Sequence, residues 1–248
     1  MPKVTLEAHD ALAFLRLNNG VTNAISPALV DDLTDAAKRI ESEFKGMVLA
    51  GGSKFFCIGL DLPTLLLLDR PDMVEFYRRF NQVVLDLYTL PIPTACAIDG
   101  HATAGGAIIA LSSDFRFISS GRKFIGFNEV KIGVPVPYLA DLILRQVIGD
   151  RYATELMFSG EFVEPQQAQK IGLIDEVISP EDLEAGAVAK IAKLVALPSY
   201  GITAVINNRV EAVKAKYEEM QNADNDLFLN CWFNPAVQEL LKEAAKKF

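Results

Sequence analysis

The chain has 248 residues, half of them hydrophobic and 23% charged, an ordinary balance for a globular protein built on one core plus an appendage. Its net charge of −8 speaks against nucleic acid or an anionic membrane as the main partner, while a few local cations still suffice for a phosphate-bearing ligand. Cys57, Cys96 and Cys231 are too few and too scattered for a disulfide framework or a zinc site, and their apolar neighbours mark them as small buried hydrophobes. With no secretory pattern at the start, and with its richest apolar run, Leu65–Leu68, far short of a bilayer, the expected location is cytoplasmic.

The first third alternates strand and helix. Val4–Glu7 and Ala11–Leu17 read as a hairpin around His9-Asp10. Ser26-Pro27 supplies a cap and a first-turn proline, and the helix that follows sets Leu29, Val30, Leu33, Ala36, Ala37 and Ile40 on one face. Met47–Ala50 is a short buried strand ending at a glycine pair. Asp72 to about Leu90 is a long helix, and Pro93–Asp99 a second buried strand. Further strands are expected at Phe115–Ser119 and Ile174–Ile178. The strand–helix–strand order implies parallel neighbours with right-handed crossovers.

From Pro180 onward only helices are expected. One starts at Ser179-Pro180, one or two fill Tyr200–Asn230, and a last one is capped by Asn234-Pro235. The last carries Val237, Leu240, Leu241 and Ala244 on a stripe, with Lys246 and Lys247 at its negative end. The division is thus a core over residues 1–180 and a helical oligomerisation region over 181–248.

Ala95 to Asp114 is the most informative stretch: a buried strand, a small-residue loop, then an apolar helix beginning at Gly105-Gly106. Free N–H groups at a helix start can hold developing negative charge, although close helix–sheet packing would also demand glycine there. In Lys54-Phe-Phe-Cys-Ile-Gly-Leu-Asp61, Gly59 makes a turn, and Asp61 caps the next helix so that the Leu60 N–H points into a cleft. Two backbone donors from separate segments are what an oxyanion hole needs. Glu129 is a lone carboxylate among apolar and glycine residues: an apolar pocket would raise its proton affinity and suit a general base, while an acid in a loop also reads as solvated surface. His101 reads as structural or cleft-lining, Asp114 as a cap or ion-pair partner, and no cluster has metal-site spacing.

Taken together, Asn23-Ala-Ile, Lys54–Leu62, Ile98–Gly106, Asn128–Gly133 and Ser159-Gly-Glu…Gly172-Leu-Ile-Asp-Glu-Val177 resemble the crotonase, or enoyl-CoA hydratase/isomerase, superfamily. The resemblance implies an α/β crotonase-like spiral of ββα units with a C-terminal helical trimerisation region, hence a homotrimer or hexamer. It implies an acyl-CoA thioester as substrate and no separate cofactor, coenzyme A being part of the substrate. By matching positions, Leu60 and Gly105 form the oxyanion hole and Glu129 is the catalytic base. Gly59, Asp61, Gly106, Ile108, Lys54 and Tyr138 would surround the substrate, with Leu65–Leu68, Phe76 and Phe80 as core or acyl pocket, and Lys54 or Lys123 near the CoA phosphates.

Hydratases of the family typically carry a second glutamate at the position of Ile108, and Val134-Pro-Val-Pro-Tyr138 replaces their usual Gly-Gly and Gln-Arg. An apolar residue followed by a lone glutamate is similar to the Δ3,Δ2-enoyl-CoA isomerase branch. A single-carboxylate hydratase, a thioester hydrolase, a decarboxylase and a non-catalytic acyl-CoA-binding paralogue stay open as activities, and a Rossmann-like dehydrogenase as a fold.

Overall fold

The computed structural model describes residues 1–246, so Lys247 lies outside the described residues. The chain winds through strand pairs that feed two sheets in turn. β1 (Val4–His9) and β2 (Leu12–Leu17) form the antiparallel hairpin, followed by α1 (Pro27–Glu43). β3 (Gly46–Ala50) enters the large sheet and β4 (Phe55–Cys57) the small one, before α2 (Leu62–Leu65) and α3 (Arg70–Tyr88). β5 (Thr94–Ile98) and β6 (His101–Thr103) repeat that step and lead into α4 (Gly105–Leu111). β7 (Phe115–Ser119) and β8 (Ile125–Gly126) repeat it again, ahead of a 3₁₀ turn at Glu129–Ile132 and α5 (Tyr138–Ser159). β9 (Phe162–Val163), α6 (Pro165–Lys170) and β10 (Glu176–Ile178) complete the spiral.

The large sheet has the order β1-β2-β3-β5-β7-β10, parallel from β2 onward, and the small sheet the order β4-β6-β8-β9. Among the described residues the strand order of the large sheet never reverses, so they form no switch-point crevice of the kind a dinucleotide fold uses. β3 and β5 are buried at every residue, as expected of strands covered on both faces. Their side chains divide by alternation. Met47, Leu49, Cys96 and Ile98 pack into the main core, while Val48, Ala50, Ala95 and Ala97 face the opposite side. There α7 (Leu183–Val195) covers them with Leu183, Ala187 and Ile191. α8 (Ser199–Trp232) and α9 (Pro235–Ala245) close the helical region.

Several expectations are corrected. The Ser179 hydroxyl pairs with Asp182 in a turn, so α7 begins at Leu183 and not at Ser179-Pro180. Asp69 caps α3, which therefore starts at Arg70, before the expected Asp72. Residues 200–230 lie in one unbroken helix, within the one or two expected, while Ile174–Ile178 shortens to β10. Leu241 is buried on α9, but Leu240 is 48% exposed. Cys57 and Cys96 are buried, whereas Cys231 is partly exposed. Among the described residues no single helix is long and apolar enough to span a membrane; α7 and α8 pass only as a pair bent by 111°.

The small sheet sets the spacing of α4. A Cβ on Gly106 would stand 2.1 Å from the Cys57 carbonyl oxygen, so α4 rests directly on the β4 backbone. Gly106→Ala is expected to destabilise the fold by about 2 kcal/mol or more, typical of overpacking against backbone. Thermal unfolding checks this, and an unchanged Tm would contradict it.

Candidate active site

Two segments bring free backbone donors together. Gly59 turns with φ +97°, and Cys57 Sγ accepts its N–H at 3.4 Å. Ile25 then brackets the turn: its N–H donates to the Gly59 carbonyl at 2.8 Å, and its carbonyl accepts from Asp61 N–H at 3.0 Å. Asp61 caps α2, accepting from the Thr64 N–H and hydroxyl at 3.2 and 2.8 Å. The Leu60 peptide is thereby fixed on both sides. Across from it, Ala104 takes φ 51°, ψ −124°, a conformation rare for a residue with a Cβ, and its N–H is held by the Gly126 carbonyl at 2.9 Å. That twist turns the Gly105 N–H out of the helix start.

The two N–H groups are neighbours. A Cβ on Gly59 would lie 3.0 Å from Gly105 N, and a Cβ on Gly105 would lie 3.6 Å from Leu60 N. Among the described residues neither nitrogen donates a hydrogen bond to the protein. Both residues line a cleft of about 1030 Å³.

Glu129 lines the same cleft at the head of its 3₁₀ turn. It is 5% exposed, and Oε2 has no hydrogen-bond partner among the described residues. Burial pushes its pKa up from 4.5 to about 7, opposed only by its own backbone N–H. Ile108, one turn into α4, is 2% exposed and adds an apolar wall. The cleft thus offers two neutral donors, one proton-exchanging carboxyl and little else that titrates deep inside.

The remaining expected residues separate. Exposed Lys54 lines the cleft with its ammonium 5.4 Å from the Phe55 ring. His101 lines it too, stacked 5.3 Å from Phe124, and its Nδ1 accepts the Phe124 N–H at 3.1 Å. Burial, reinforced by Lys123 and Arg122, lowers its pKa and disfavours the cation. Gly59, Asp61 and Gly106 do not line the cleft; they shape the backbone beneath it. Tyr138 is also displaced, lining a second cavity of about 510 Å³. Lys123 is engaged elsewhere, donating to the Ser53 carbonyl at 2.9 Å. Of the acyl-pocket candidates, Phe80 reaches the cleft, Leu65 and Phe76 are core, and Leu67 is 86% exposed. Asp114 accepts from Thr94 and pairs with Arg209 at 2.7 Å, a purely structural role.

The sequence reading missed the far wall, made by Tyr77 of α3 with Phe228 and Trp232 of α8, and the rim from Leu240 and Glu243 of α9. Aromatics at positions 228 and 232 share one helix face, a spacing that marks a packing surface but not what it encloses. Among the described residues no group of three His, Cys, Asp or Glu side chains could hold a metal ion.

Known proteins share this architecture. The family model described as "Enoyl-CoA hydratase/isomerase" matches residues 7–244. The chain is 24% identical to human mitochondrial Enoyl-CoA delta isomerase 1 over 240 residues, 95% of this chain and 80% of that protein. It is 32% identical to the probable enoyl-CoA hydratase echA17 of Mycobacterium avium over 196 residues, 78% of this chain and 76% of the relative. The crystal structure of human mitochondrial delta3-delta2-enoyl-CoA isomerase superposes with a TM-score of 0.94 at 24% identity, covering 99% of this chain and 97% of that one. The chain belongs to the enoyl-CoA hydratase/isomerase, or crotonase, family.

Proposed function

We propose that this protein shifts the double bond of a 3-enoyl-CoA thioester to the 2-position. The observation that carries the reading is that Glu129 is the one buried carboxyl among the described residues lining the cleft, which it shares with the free Leu60 and Gly105 N–H pair. In this mechanism the N–H pair binds the thioester oxygen and stabilises it as charge develops there. Glu129 takes a proton from C2, the resulting dienolate is held by the two donors, and the same carboxyl returns the proton at C4. The apolar surroundings of Ile108 keep water from competing for the intermediate. Lys54, which lines the cleft, would meet the CoA phosphates, and the reaction calls for no cofactor beyond the substrate's own coenzyme A.

A hydratase is the second reading, favoured by the 32% identity to a probable hydratase. Hydration needs a water activated and a proton delivered, which here falls on Glu129 alone. A paired assay on 3-enoyl-CoA and 2-enoyl-CoA separates the readings. Conversion of the 3-enoyl compound with little hydration of the 2-enoyl compound is expected, and the reverse pattern would overturn the isomerase. Glu129→Gln should lose about 10²- to 10⁴-fold in kcat, the range of a general base.

Substitution at Gly59 tests the donor pair separately. Gly59→Ala places a methyl at φ +97° against Gly105 N, and kcat is expected to fall on the order of 10². Undiminished turnover would dismiss the two-donor geometry.

Stability gives an activity-independent check on the base. Between about pH 4.5 and 7 the unfolded chain releases a proton that folded Glu129 retains. The wild type therefore loses stability as pH rises through that window. Glu129→Gln removes this loss, so its Tm relative to wild type should be higher at pH 8 than at pH 4. The same difference at both values would contradict burial of the carboxyl.

We further propose a homotrimer or hexamer. Leu197, Tyr200 and Val205, exposed by 50%, 90% and 68%, leave an apolar surface where α8 begins. Light scattering should give three or six times the 27.2 kDa chain mass, and a monomer would refute it.

A further inference from the structure

Behind the cleft, α3 and α8 bury polar side chains that the mechanism above does not use. Tyr77 and Asn81 stand one turn apart on α3 and are 0% and 1% exposed. The Tyr77 ring stacks on Phe228 with centroids 3.9 Å apart, and Asp224 stands one turn before Phe228 on α8. Tyr77 Oη, Asn81 Nδ2 and the neighbouring Asn225 Oδ1 form no well-aligned hydrogen bond among the described residues. Buried polar atoms without partners are rare, and one of these, on Tyr77, belongs to a residue lining the cleft that holds Glu129.

Their placement suggests a role. Tyr77 lines the cleft that holds Glu129, and burial, with smaller contributions from Asp224 and Glu129, holds its hydroxyl well above the usual tyrosine range. Asp224 lines the second cavity, on the other side of the same wall, and is partly exposed there. The pair thus crosses the layer between the reaction site and a separate cavity.

We propose that Tyr77 and Asp224 form a proton path by which Glu129 exchanges the proton it has taken from C2 with water in the second cavity. The steps balance. Protonated Glu129 gives its proton through intervening water to the Tyr77 oxygen as the Tyr77 hydroxyl proton passes to the Asp224 carboxylate. Asp224 then releases a proton to water, and reversal of the steps reprotonates Glu129 from solvent. Burial raises the Asp224 pKa to about 6, while the Tyr138 N–H, donating at 3.4 Å, draws it back. Burial thus raises both carboxyls above the ordinary range, so each can hold the proton in turn. Exchange along this path competes with direct return of the proton to C4.

The inference rests on the isomerase reading, and turnover in D₂O separates the two. Wild-type protein converting a 3-enoyl-CoA should place solvent deuterium at C4 in a fraction of product molecules, read by mass spectrometry at low conversion. Tyr77→Phe and Asp224→Asn each remove one exchanging group with little change of shape. Each should lower the deuterated fraction per turnover severalfold, whereas a packing defect that merely slows return of the proton to C4 leaves more time for exchange and does not lower it. An unchanged fraction in both variants, or a wild type that isomerises with no deuterium uptake, would overturn the path alone. A wild type with no isomerisation would overturn the isomerase reading and the path with it.

Discussion

The structure turns on a carboxyl group kept out of water without a partner. Glu129 is almost fully buried, and one of its oxygens is unpaired among the described residues. An ionised carboxylate in that position is costly, so the group stays near the point of gaining or losing its proton. The surrounding fold has to support that cost. It does so through strands β3 and β5, buried along their whole length, and through the helices that seal both faces of the large sheet.

The opposing donors depend on the small sheet. β4, β6 and β8 carry the chain from the large sheet to the cleft in three parallel steps, and each step ends where the site needs a particular backbone orientation. Gly59 supplies a positive φ, Ala104 accepts a strained one, and Gly106 lets α4 settle on β4. Strain at Ala104 is tolerated because its N–H is tied to β8 and its carbonyl accepts the Ile108 N–H at 3.1 Å. The result is a pair of donors aimed by backbone alone, and among the described residues no cation offsets the burial of the Glu129 carboxyl.

Much of this was legible in the chain. The apolar spacing of Leu29 to Ile40 marks α1 residue by residue, and the capping role of Asp61 follows from its place before Leu62-Pro63. Glu129 stands out because it lacks the charged neighbours of a surface acid. The small sheet was not legible: strands of two or three residues are too short to show alternation, so His101–Thr103 reads as loop although it is β6. Tyr138 was misplaced for a related reason. Proline-rich 134–137 hides the direction in which the chain turns, and that turn carries Tyr138 away from the cleft to the second cavity. The aromatic wall of Tyr77, Phe228 and Trp232 depends on contact between α3 and α8, elements far apart in sequence.

The most direct test is a titration of the Glu129 carboxyl itself, by carbon NMR of selectively labelled protein with Glu129→Gln as the assignment control. The account predicts a resonance whose midpoint lies near 7, absent from the variant. A midpoint in the ordinary glutamate range, close to 4.5, would mean that water or a cation reaches the group. The single buried base at the centre of the structure would then be wrong.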